Sequence, residues 1–436
     1  MDQTKFPSEG PIGIGLLGCG TVGSGVVKLL LSHAEDYAHR IGRPLALRKV
    51  AVRDAARGRE GLDLAHHLTT DHHAVTRDPA TQIVVELMGG VDPAKRLILD
   101  AIAHGKHIVT ANKEVIARHG DEIYAAAREA GVAVFIEGTV GGGIPIIMPL
   151  KASLAANRIR QIAGIINGTT NYILTMMSQH GQGLDEALLE AQRLGYAEAD
   201  PTADVEAYDA AFKIAILAST FFSHRVRIED VYREGITHLT AADIQYAREL
   251  GYVIKLLGVA RREEGHLQVR VHPTMVPRTH PLAHINGVMN AIAVQGDAVG
   301  EVMFSGPGAG MMPTASAVLG DVLNIAANLE APNPLITCSH EGAGDVAPID
   351  ELETQFYIRL IAHDKPGVIG TIGQSCGQFG ISILSMVQKG EQHGLAEIVL
   401  VTHRVKEKHM RAALADMADH PTIQSIASVI RVEGLK

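Results

Sequence analysis

The sequence is poor in the residues that mark several classes of protein. It has no tryptophan and only three cysteines, Cys19, Cys338 and Cys376, which are far apart and odd in number. This pattern speaks against a disulfide framework, and we expect a reducing, cytoplasmic compartment. The apolar runs fall well short of the ~20 residues that span a bilayer, so we expect no membrane contact.

An excess of positive charge is also missing. Lysine and arginine number 39 against 48 acidic residues, which leaves a formal net charge of −9. An acidic surface repels phosphate backbones and anionic lipid, so nucleic acid is disfavoured as a partner. Glycine is abundant, with 45 of 436 residues. A chain of this length is typical of about three domains.

The first third of the chain alternates between strand and helix patterns. Apolar runs at residues 12–17 and 83–88 predict strands, and residues 93–103 predict a helix. We expect Asp92 to cap that helix and Pro93 to lie in its first turn. Strands that alternate with helices predict an α/β domain with a parallel sheet covered on both faces, of the Rossmann type.

Changes in composition along the chain predict three domains and one linker. Residues 1–140 are expected to form the dinucleotide-binding domain, completed by a helix within about 306–330. Residues 141–305 suggest an α+β domain for substrate binding, catalysis and dimerisation. The segment 331–352 is a linker candidate. Residues 353–436 have the order β-α-β-β-α-β of a ferredoxin-like unit.

A glycine-rich loop follows the first predicted strand. Gly18-Cys19-Gly20-Thr21-Val22-Gly23 fits the pattern G-x-G-x-x-G and opens a helix. Gly18 would allow the tight turn, Gly20 the approach of a pyrophosphate, and Gly23 close packing of helix on strand. The alternative is a glycine-rich turn without a ligand. The strand–loop–helix context favours dinucleotide binding, with Thr21 and Val22 at the helix start.

The end of the second predicted strand bears on which nicotinamide dinucleotide binds. An acidic residue there would hold the ribose 2′-hydroxyl of NAD, whereas an arginine can pair with the 2′-phosphate of NADP. The sequence has Arg53 followed by Asp54. Arg53 favours NADP, Asp54 leaves NAD open, and a solvated surface role for Arg53 is the alternative.

The carboxylates of Glu198, Asp200, Asp204 and Asp209 precede Lys213 around the entry to a helix predicted over residues 204–222. The last of them, Asp209, is four residues before Lys213, so the two side chains share a face of that helix. A buried lysine beside a carboxylate can give a proton to a developing alkoxide. The alternative is an ordinary i, i+4 ion pair. The dinucleotide loop elsewhere in the chain favours an active site.

Four motifs together resemble the homoserine dehydrogenase family, over about residues 11–330. They are Thr110-Ala111-Asn112-Lys113, Glu137-Gly138-Thr139-Val140-Gly141-Gly142-Gly143-Ile144-Pro145, Asn167-Gly168-Thr169-Thr170-Asn171 and the acidic segment from Gly195 to Asp204. The tail from Phe356 resembles an ACT domain, chiefly through Asp364-Lys365-Pro366-Gly367-Val368-Ile369. The resemblance implies a monofunctional bacterial enzyme with a C-terminal regulatory domain.

The resemblance implies roles for individual residues. Lys213 matches the lysine that protonates the aldehyde oxygen, and Asp209 matches the acid that pairs with the substrate or with that lysine. Lys113 matches a second lysine, near the nicotinamide and the substrate. Contacts with the substrate are implied for Glu198, Asp204, Gly168 and Thr169, with Glu198 at the amino group.

Two further features are implied by the same resemblance. A monovalent cation, sodium or potassium, would be bound mostly through backbone carbonyls at Glu137, Val140, Gly142 and Ile144. Gly308 matches a loop that returns to the cofactor. Neither feature follows from the residue types alone.

The implied reaction interconverts aspartate 4-semialdehyde and L-homoserine with NADP or NAD, in the biosynthesis of threonine, methionine and isoleucine. The ACT-like tail implies inhibition by threonine, and we expect a homodimer or homotetramer. The alternative from another class is an inactive sensor that binds nucleotide and amino acid. The Glu198, Asp209 and Lys213 set speaks against that alternative.

Overall fold

The computed structural model describes residues 10–57, 61–263, 265–329, 346–392 and 394–433. Most of the predicted linker, together with Cys338, lies outside the described residues. Among the residues that are described, no helix is long and apolar enough to cross a membrane.

The described residues belong to two compact units. The first unit comprises those within Met1–Ile159, Ala215–Ile228 and Asn290–Ala343. The second comprises those within Arg160–Ile214, Glu229–Met289 and Gly344–Lys436. The domain boundaries expected from the sequence stay a prediction.

Strands and helices are numbered along the chain. The strands are β1 (Ile12–Leu17), β2 (Leu45–Ala51), β3 (Leu68–Thr69), β4 (Ile83–Glu86), β5 (His107–Thr110), β6 (Val134–Phe135), β7 (Ile159–Ile165), β8 (Tyr232–Arg233), β9 (Tyr252–Glu263), β10 (His266–Pro277), β11 (Met289–Gly296), β12 (Gly300–Pro307), β13 (Glu353–His363), β14 (Ile383–Gln392), β15 (Leu395–Thr402), β16 (Val405–Lys406) and β17 (Ile423–Val432). The α-helices are α1 (Thr21–Ser32), α2 (Ala34–Ile41), α3 (His73–Thr76), α4 (Ala94–Ala103), α5 (Lys113–Ala130), α6 (Ile147–Lys151), α7 (Gly168–His180), α8 (Leu184–Arg193), α9 (Thr202–Val205), α10 (Tyr208–Phe221), α11 (Ala241–Glu249), α12 (Met311–Ala327), α13 (Val368–Gln378) and α14 (Glu407–Ala418).

The first unit contains a six-stranded sheet with the order β3-β2-β1-β4-β5-β6. All of its neighbouring strands are parallel. The order reverses between β1 and β4, and in doubly wound sheets such a switch point is where a dinucleotide binds. The predicted Rossmann-type domain is confirmed.

Helix α12 packs into the core of the first unit. Ala315, Val318 and Val322 are buried in the same apolar cluster as Ile14 of β1. A Cβ atom added to Gly25 of α1 would lie 2.8 Å from Met311 Cγ. The helix that returns after residue 306 therefore covers one side of the glycine-loop helix.

The second unit contains strands in the order β7-β9-β10-β17-β13-β15-β14. Elements β13, α13, β14, β15, α14 and β17 follow the predicted β-α-β-β-α-β order, with short β16 added. Strand β17 pairs antiparallel with β13 and parallel with β10, where Thr274 lies opposite Arg431. The ferredoxin-like unit thus shares a sheet with the strands that precede it.

Two local predictions are wrong. The helix expected over residues 204–222 is broken into α9 and α10 at Ala207, whose φ is +62°. The carbonyls of Val205 and Glu206 accept from Ile236 N and the Arg233 guanidinium, so they do not continue a helix.

The second error concerns the start of α4. The helix begins at Ala94, after Pro93 as its cap residue, with no hydrogen bond from a capping side chain. Asp92 is therefore not the cap. It lines the cavity beside the glycine-rich loop instead.

Candidate active site

The glycine-rich loop has the geometry of a phosphate-binding turn. Gly18 has a φ of +98°, which favours glycine, and a Cβ atom there would lie 2.8 Å from Leu87 O. A Cβ atom on Gly23 would lie 2.6 Å from Gly18 O. At Gly20 the same atom would meet nothing within 4 Å. Gly20 is thus the point where a ligand can approach the backbone.

Helix α1 begins directly after Gly20, at Thr21 and Val22, without a side chain that caps it. Uncapped N–H groups at a helix start favour an anion, and phosphate groups commonly bind there. The loop borders a cavity of about 1000 Å³. This volume and the uncapped helix fit a dinucleotide.

Arg53 and Asp54 line the same cavity, directly after β2. Both residues are exposed. Arg57 lines the cavity as well, which adds a second cation on the side where the adenosine ribose of a dinucleotide binds. Leu87, Met88 and Gly89, from the loop after β4, line this cavity too.

Lys113 is the first residue of α5. The helix is capped by Asn112, whose Oδ1 accepts from Val115 N at 3.2 Å. This cap fixes where the helix starts. Lys113 is half-buried at the carboxyl end of the parallel sheet, the edge where ligands of such folds bind.

The second unit contains a buried lysine–carboxylate pair. Lys213 Nζ donates to Asp209 Oδ2 at 2.6 Å and to Ile166 O at 2.8 Å. These two bonds engage two of the three N–H donors of the ammonium group. Both side chains lie on α10, one helical turn apart, as their spacing predicts.

Asn167 joins this pair to Asp204. Its Nδ2 donates to Asp204 Oδ1 at 2.7 Å and to Asp209 Oδ2 at 2.9 Å. Its Oδ1 accepts from Thr170 N at 2.9 Å and so caps α7, which begins at Gly168. The motif that contains Asn167 contributed to the family resemblance, but no role was predicted for Asn167 itself. The polar residue ahead of a helix was the feature that indicated the cap.

Thr169 and Glu198 have described contacts with residues outside this buried pair. Thr169 Oγ1 donates to Tyr196 O at 2.7 Å and so ties α7 to the acidic segment. Glu198 is exposed, and its backbone carbonyl accepts from Gln192 Nε2 at 3.0 Å. The structure thus brings Asp204, Asp209 and Lys213 together and leaves Glu198 on the surface of the unit.

The carboxylate of Glu137 is hydrogen-bonded within the protein and is not open to a metal ion. Its buried carboxylate accepts from the backbone N–H groups of Ile146, Ile147 and Met148, at 2.6–2.8 Å, at the start of α6. Burial raises the pKa of Glu137, and these three hydrogen bonds oppose the rise. Its carboxylate oxygens are engaged, which leaves the backbone carbonyls of this segment as the better cation donors.

Gly142 and Gly308 are in close contact. A Cβ atom on Gly142, which has a φ of +56°, would lie 2.5 Å from Gly308 C and O. Gly143 N also donates to Pro307 O at 3.0 Å. Val140 and Ile144 are buried in the same segment. The segment predicted to bind a cation and the loop predicted to approach the cofactor are therefore in direct contact.

Asn290 is a residue of this region that sequence reasoning missed. A Cβ atom on Gly308 would lie 2.0 Å from Asn290 Nδ2. The Asn290 side chain is buried, and neither amide atom has a hydrogen-bond partner among the described residues. No pattern in the sequence distinguishes this asparagine from others.

A parallel sheet with an open glycine loop, a cavity sized for a dinucleotide and a buried lysine–carboxylate pair define a nicotinamide-dependent oxidoreductase. Family models match in three places: "Homoserine dehydrogenase, NAD binding domain" over 18–137, "Homoserine dehydrogenase" over 145–323 and "ACT domain" over 356–421. The chain belongs to the homoserine dehydrogenase family.

Individual relatives agree with this family. The chain is 52% identical to a homoserine dehydrogenase from Synechocystis over 96% of this chain and 99% of the relative. It is also similar to the crystal structure of a homoserine dehydrogenase from Thiobacillus denitrificans, with a TM-score of 0.91, 44% identity and coverage of 97% and 98%. A hyperthermophilic archaeal homoserine dehydrogenase mutant in complex with NADPH matches with a TM-score of 0.63, 28% identity and coverage of 74% and 99%.

Proposed function

We propose that this oxidoreductase interconverts aspartate 4-semialdehyde and L-homoserine with NADP as the favoured cofactor and Lys213 as the proton donor. The observation that carries the proposal is the Lys213–Asp209 pair, buried on α10 and held by Asn167. Burial of an ammonium group and a carboxylate is costly unless the two are paired and hydrogen-bonded, as Lys213 and Asp209 are.

The chemistry at the pair follows from its donors. A nicotinamide dinucleotide supplies the hydride for the carbonyl carbon. As the carbonyl oxygen gains negative charge, the third N–H of Lys213 can stabilise that charge and deliver the proton. Asp209 holds the ammonium group in place through its hydrogen bond with Lys213. In the opposite direction, the neutral amine of Lys213 would accept the hydroxyl proton of homoserine while the hydride passes to the oxidised nicotinamide.

The substrate is a zwitterion, so it needs a carboxylate for its ammonium group. Asp204 is half-buried beside Asn167, and Glu198 is exposed on the preceding segment. We assign the ammonium group to Glu198, with Asp204 as a neighbouring acid. Gly168 and Thr169, at the start of α7, would offer backbone and hydroxyl donors to the substrate carboxylate.

NADP is favoured by the charges at the end of β2. Arg53 and Arg57 line the cavity near this strand end together with one acid, Asp54, while a second acid, Asp92, lines it just before α4. Guanidinium groups pair with phosphate in a bidentate manner. A relative in complex with NADPH supports this cofactor class. Lys113, at the start of α5, would lie on the nicotinamide side.

A monovalent cation, sodium or potassium, fits the segment around Gly142. The Glu137 carboxylate is already occupied by three N–H groups. The carbonyls of Glu137, Val140, Gly142 and Ile144 are therefore the candidate ligands, and oxygen donors suit such ions. A cation bound there would stabilise the contact between the segment of Gly142 and the segment of Gly308.

The ACT unit is proposed to bind an amino-acid effector, threonine. A cavity of about 210 Å³ lies at the loop before α13 and includes Asp364, Lys365 and Gln388. Gly367, with a φ of +100°, precedes the helix and leaves its first N–H groups without a side-chain cap. That arrangement suits a carboxylate. A homodimer or homotetramer is proposed as the assembly.

The decisive experiment measures L-homoserine-dependent reduction of NAD and of NADP, from the near-ultraviolet absorbance of the reduced nicotinamide. Each assay is run with and without threonine, and with L-serine as the control substrate. Turnover with homoserine alone, faster with NADP and lowered by threonine, is the expected result. Folded protein that binds nucleotide but turns over neither cofactor would instead support an amino-acid sensor.

A further inference from the structure

Glu86 ends strand β4 and is completely buried, with 0% of its surface exposed. Its Oε1 accepts from Met88 N at 2.7 Å, and Gly89 N is a second backbone donor from the same loop. Its Oε2 accepts from Thr110 Oγ1 at 2.7 Å. One carboxylate therefore binds the loop after β4 and the end of β5 at the same time.

Thr110 extends this interaction to the start of α5. Asn112 N donates to Thr110 Oγ1 at 2.9 Å, while the Thr110 hydroxyl gives its only proton to Glu86. The Asn112 Nδ2 group lies 3.5 Å from Glu86 Oε1 and donates to Gly90 O at 2.7 Å. Each described neighbour of the Glu86 oxygens is thus a donor, so the side chain must accept at both oxygens.

The ionised carboxylate suits this environment better than the acid. Burial raises the pKa of Glu86, and the hydrogen bonds from Thr110, Met88 and Asn112 oppose the rise. A carboxyl proton could be accepted only by Thr110 Oγ1, and the Thr110 hydroxyl would then lose Glu86 as the acceptor of its own proton. Such an unpaired group is costly when it is buried.

The two loops that Glu86 joins both face the ligand edge of the sheet. Met88 and Gly89 line the cavity that the glycine-rich loop borders. Asn112 caps the helix that begins with Lys113. In a doubly wound sheet the adenosine half of the dinucleotide lies over β2 and the nicotinamide half over β4, beyond the switch point.

We propose that Glu86 is a positioning residue for the nicotinamide half of the cofactor. Its carboxylate holds the loop of residues 87–90 and the Asn112 cap in one arrangement, so that the nicotinamide and Lys113 face each other correctly. The role in turnover rests on the function proposed above. The role in cofactor binding does not.

The test compares Glu86→Gln with Glu122→Gln. Glutamine has nearly the same shape but presents an NH₂ group where the site supplies donors. Glu122 lies further along α5, half exposed, and forms a surface ion pair with Lys95 at 2.6 Å. It therefore controls for the loss of one negative charge from this unit.

Calorimetry would measure two ligands with each variant: the intact dinucleotide that the wild type prefers, and its adenosine fragment without the nicotinamide. We expect Glu86→Gln to bind the intact cofactor ~10-fold more weakly, while fragment affinity changes less than ~2-fold. Glu122→Gln should match the wild type with both ligands. A change in stability alone would weaken both ligands equally, and that result would overturn the proposal. Unchanged affinity for the intact cofactor would overturn it as well.

Thr110→Val provides a second test if Glu86→Gln does not fold. It keeps the shape of the side chain but removes the hydroxyl that links Glu86 to Asn112. The same split between intact cofactor and fragment is expected, with a smaller effect. A wild-type protein that lacks homoserine turnover would refute the proposed function only, because the binding measurement needs no substrate.

Discussion

Lys213 Nζ lies 2.6 Å from Asp209 Oδ2, and only 10% of each side chain is exposed. Asn167 donates to the same carboxylate oxygen, so Asp209 is held from two directions. The ammonium group also donates to Ile166 O, which fixes its direction. If Lys213 is the proton donor proposed above, this orientation would let it transfer a proton without reorganising its surroundings, which is how preorganised groups lower a barrier.

Lys213→Ala should abolish most of the turnover. We expect kcat to fall ~10²-fold or more, because the proton donor is lost, while the affinity for cofactor stays nearly unchanged. Steady-state kinetics and cofactor titration check this. Lys408→Ala, which removes an exposed lysine that pairs with Glu351, is the control for charge. Near-normal turnover of Lys213→Ala would remove this residue as the proton donor.

Arg53→Ala should shift the cofactor preference. The guanidinium is expected to pair with the 2′-phosphate of NADP, and such a charge-assisted pair contributes about 1.5–3 kcal/mol. We therefore expect kcat/KM for NADP to fall ~10-fold or more, with kcat/KM for NAD nearly unchanged. Arg96→Ala, on α4, is the comparison variant. An equal fall in kcat/KM with NADP and with NAD would mean that Arg53 does not bind the 2′-phosphate.

Arg359→Ala should destabilise the second unit strongly. Arg359 on β13 binds Asp243 on α11 at 2.8 Å, and Asp243 is fully buried. Removal of the guanidinium leaves a buried charge without its partner, which costs about 3–5 kcal/mol. Urea unfolding would measure the loss of free energy of unfolding.

Arg404→Ala is the matched control for this prediction. Its guanidinium is 49% exposed and lies 3.6 Å from Glu263. An exposed pair of this kind contributes at most about 1 kcal/mol. If both variants lost the same stability, the contact between the ACT unit and α11 would be no stronger than a surface ion pair.

His272 should make the protein sensitive to acid. Burial, with help from Arg431 and Arg270, lowers the pKa of His272 to about 3. Arg270 Nε donates to its Nε2 at 3.2 Å, so an added proton would face a cation. The folded state therefore keeps the ring neutral, whereas the unfolded chain protonates it below pH ~6.5.

The direction of the pH effect follows from this difference. As the pH falls from ~6.5 towards 3, the unfolded state binds a proton that the folded state excludes, so the free energy of unfolding decreases. Between about pH 7.5 and 5.5, the wild type should lose ~1.4 kcal/mol more than His272→Gln. Urea titrations at the two pH values check this. Parallel losses in both proteins would contradict the assignment to His272.

Local patterns predicted much of this fold. The glycine-rich loop, the strand–helix alternation and the β-α-β-β-α-β tail all depend on residues that are close in sequence, and all three are confirmed. The break at Ala207 was missed because the segment around it contains no glycine or proline that would interrupt a predicted helix. Distant partners, Ile236 and Arg233, decide that break, and nothing within the segment indicates them.

The same limit applies to the site. Asp209 and Lys213 could be paired from their spacing alone, since they share one turn of α10. In the sequence, Glu86 is only an acidic exception in an apolar strand. Its hydrogen bonds could not be predicted, because its partners, Thr110 and Asn112, come from the next strand and the loop after it. A lone acid in an otherwise apolar strand therefore points to a buried hydrogen-bond network.

Strand β17 inserts between β10 and β13, and every other described element precedes it in the chain. A ribosome must therefore synthesise nearly the whole sequence before β10 gains this neighbour. Until then Thr274 and Met275 of β10 lack the strand with which they pair, and unpaired strand edges can pair with other chains. We therefore expect chains that stop before β17 to aggregate more readily than the complete chain, because this part of the shared sheet stays open.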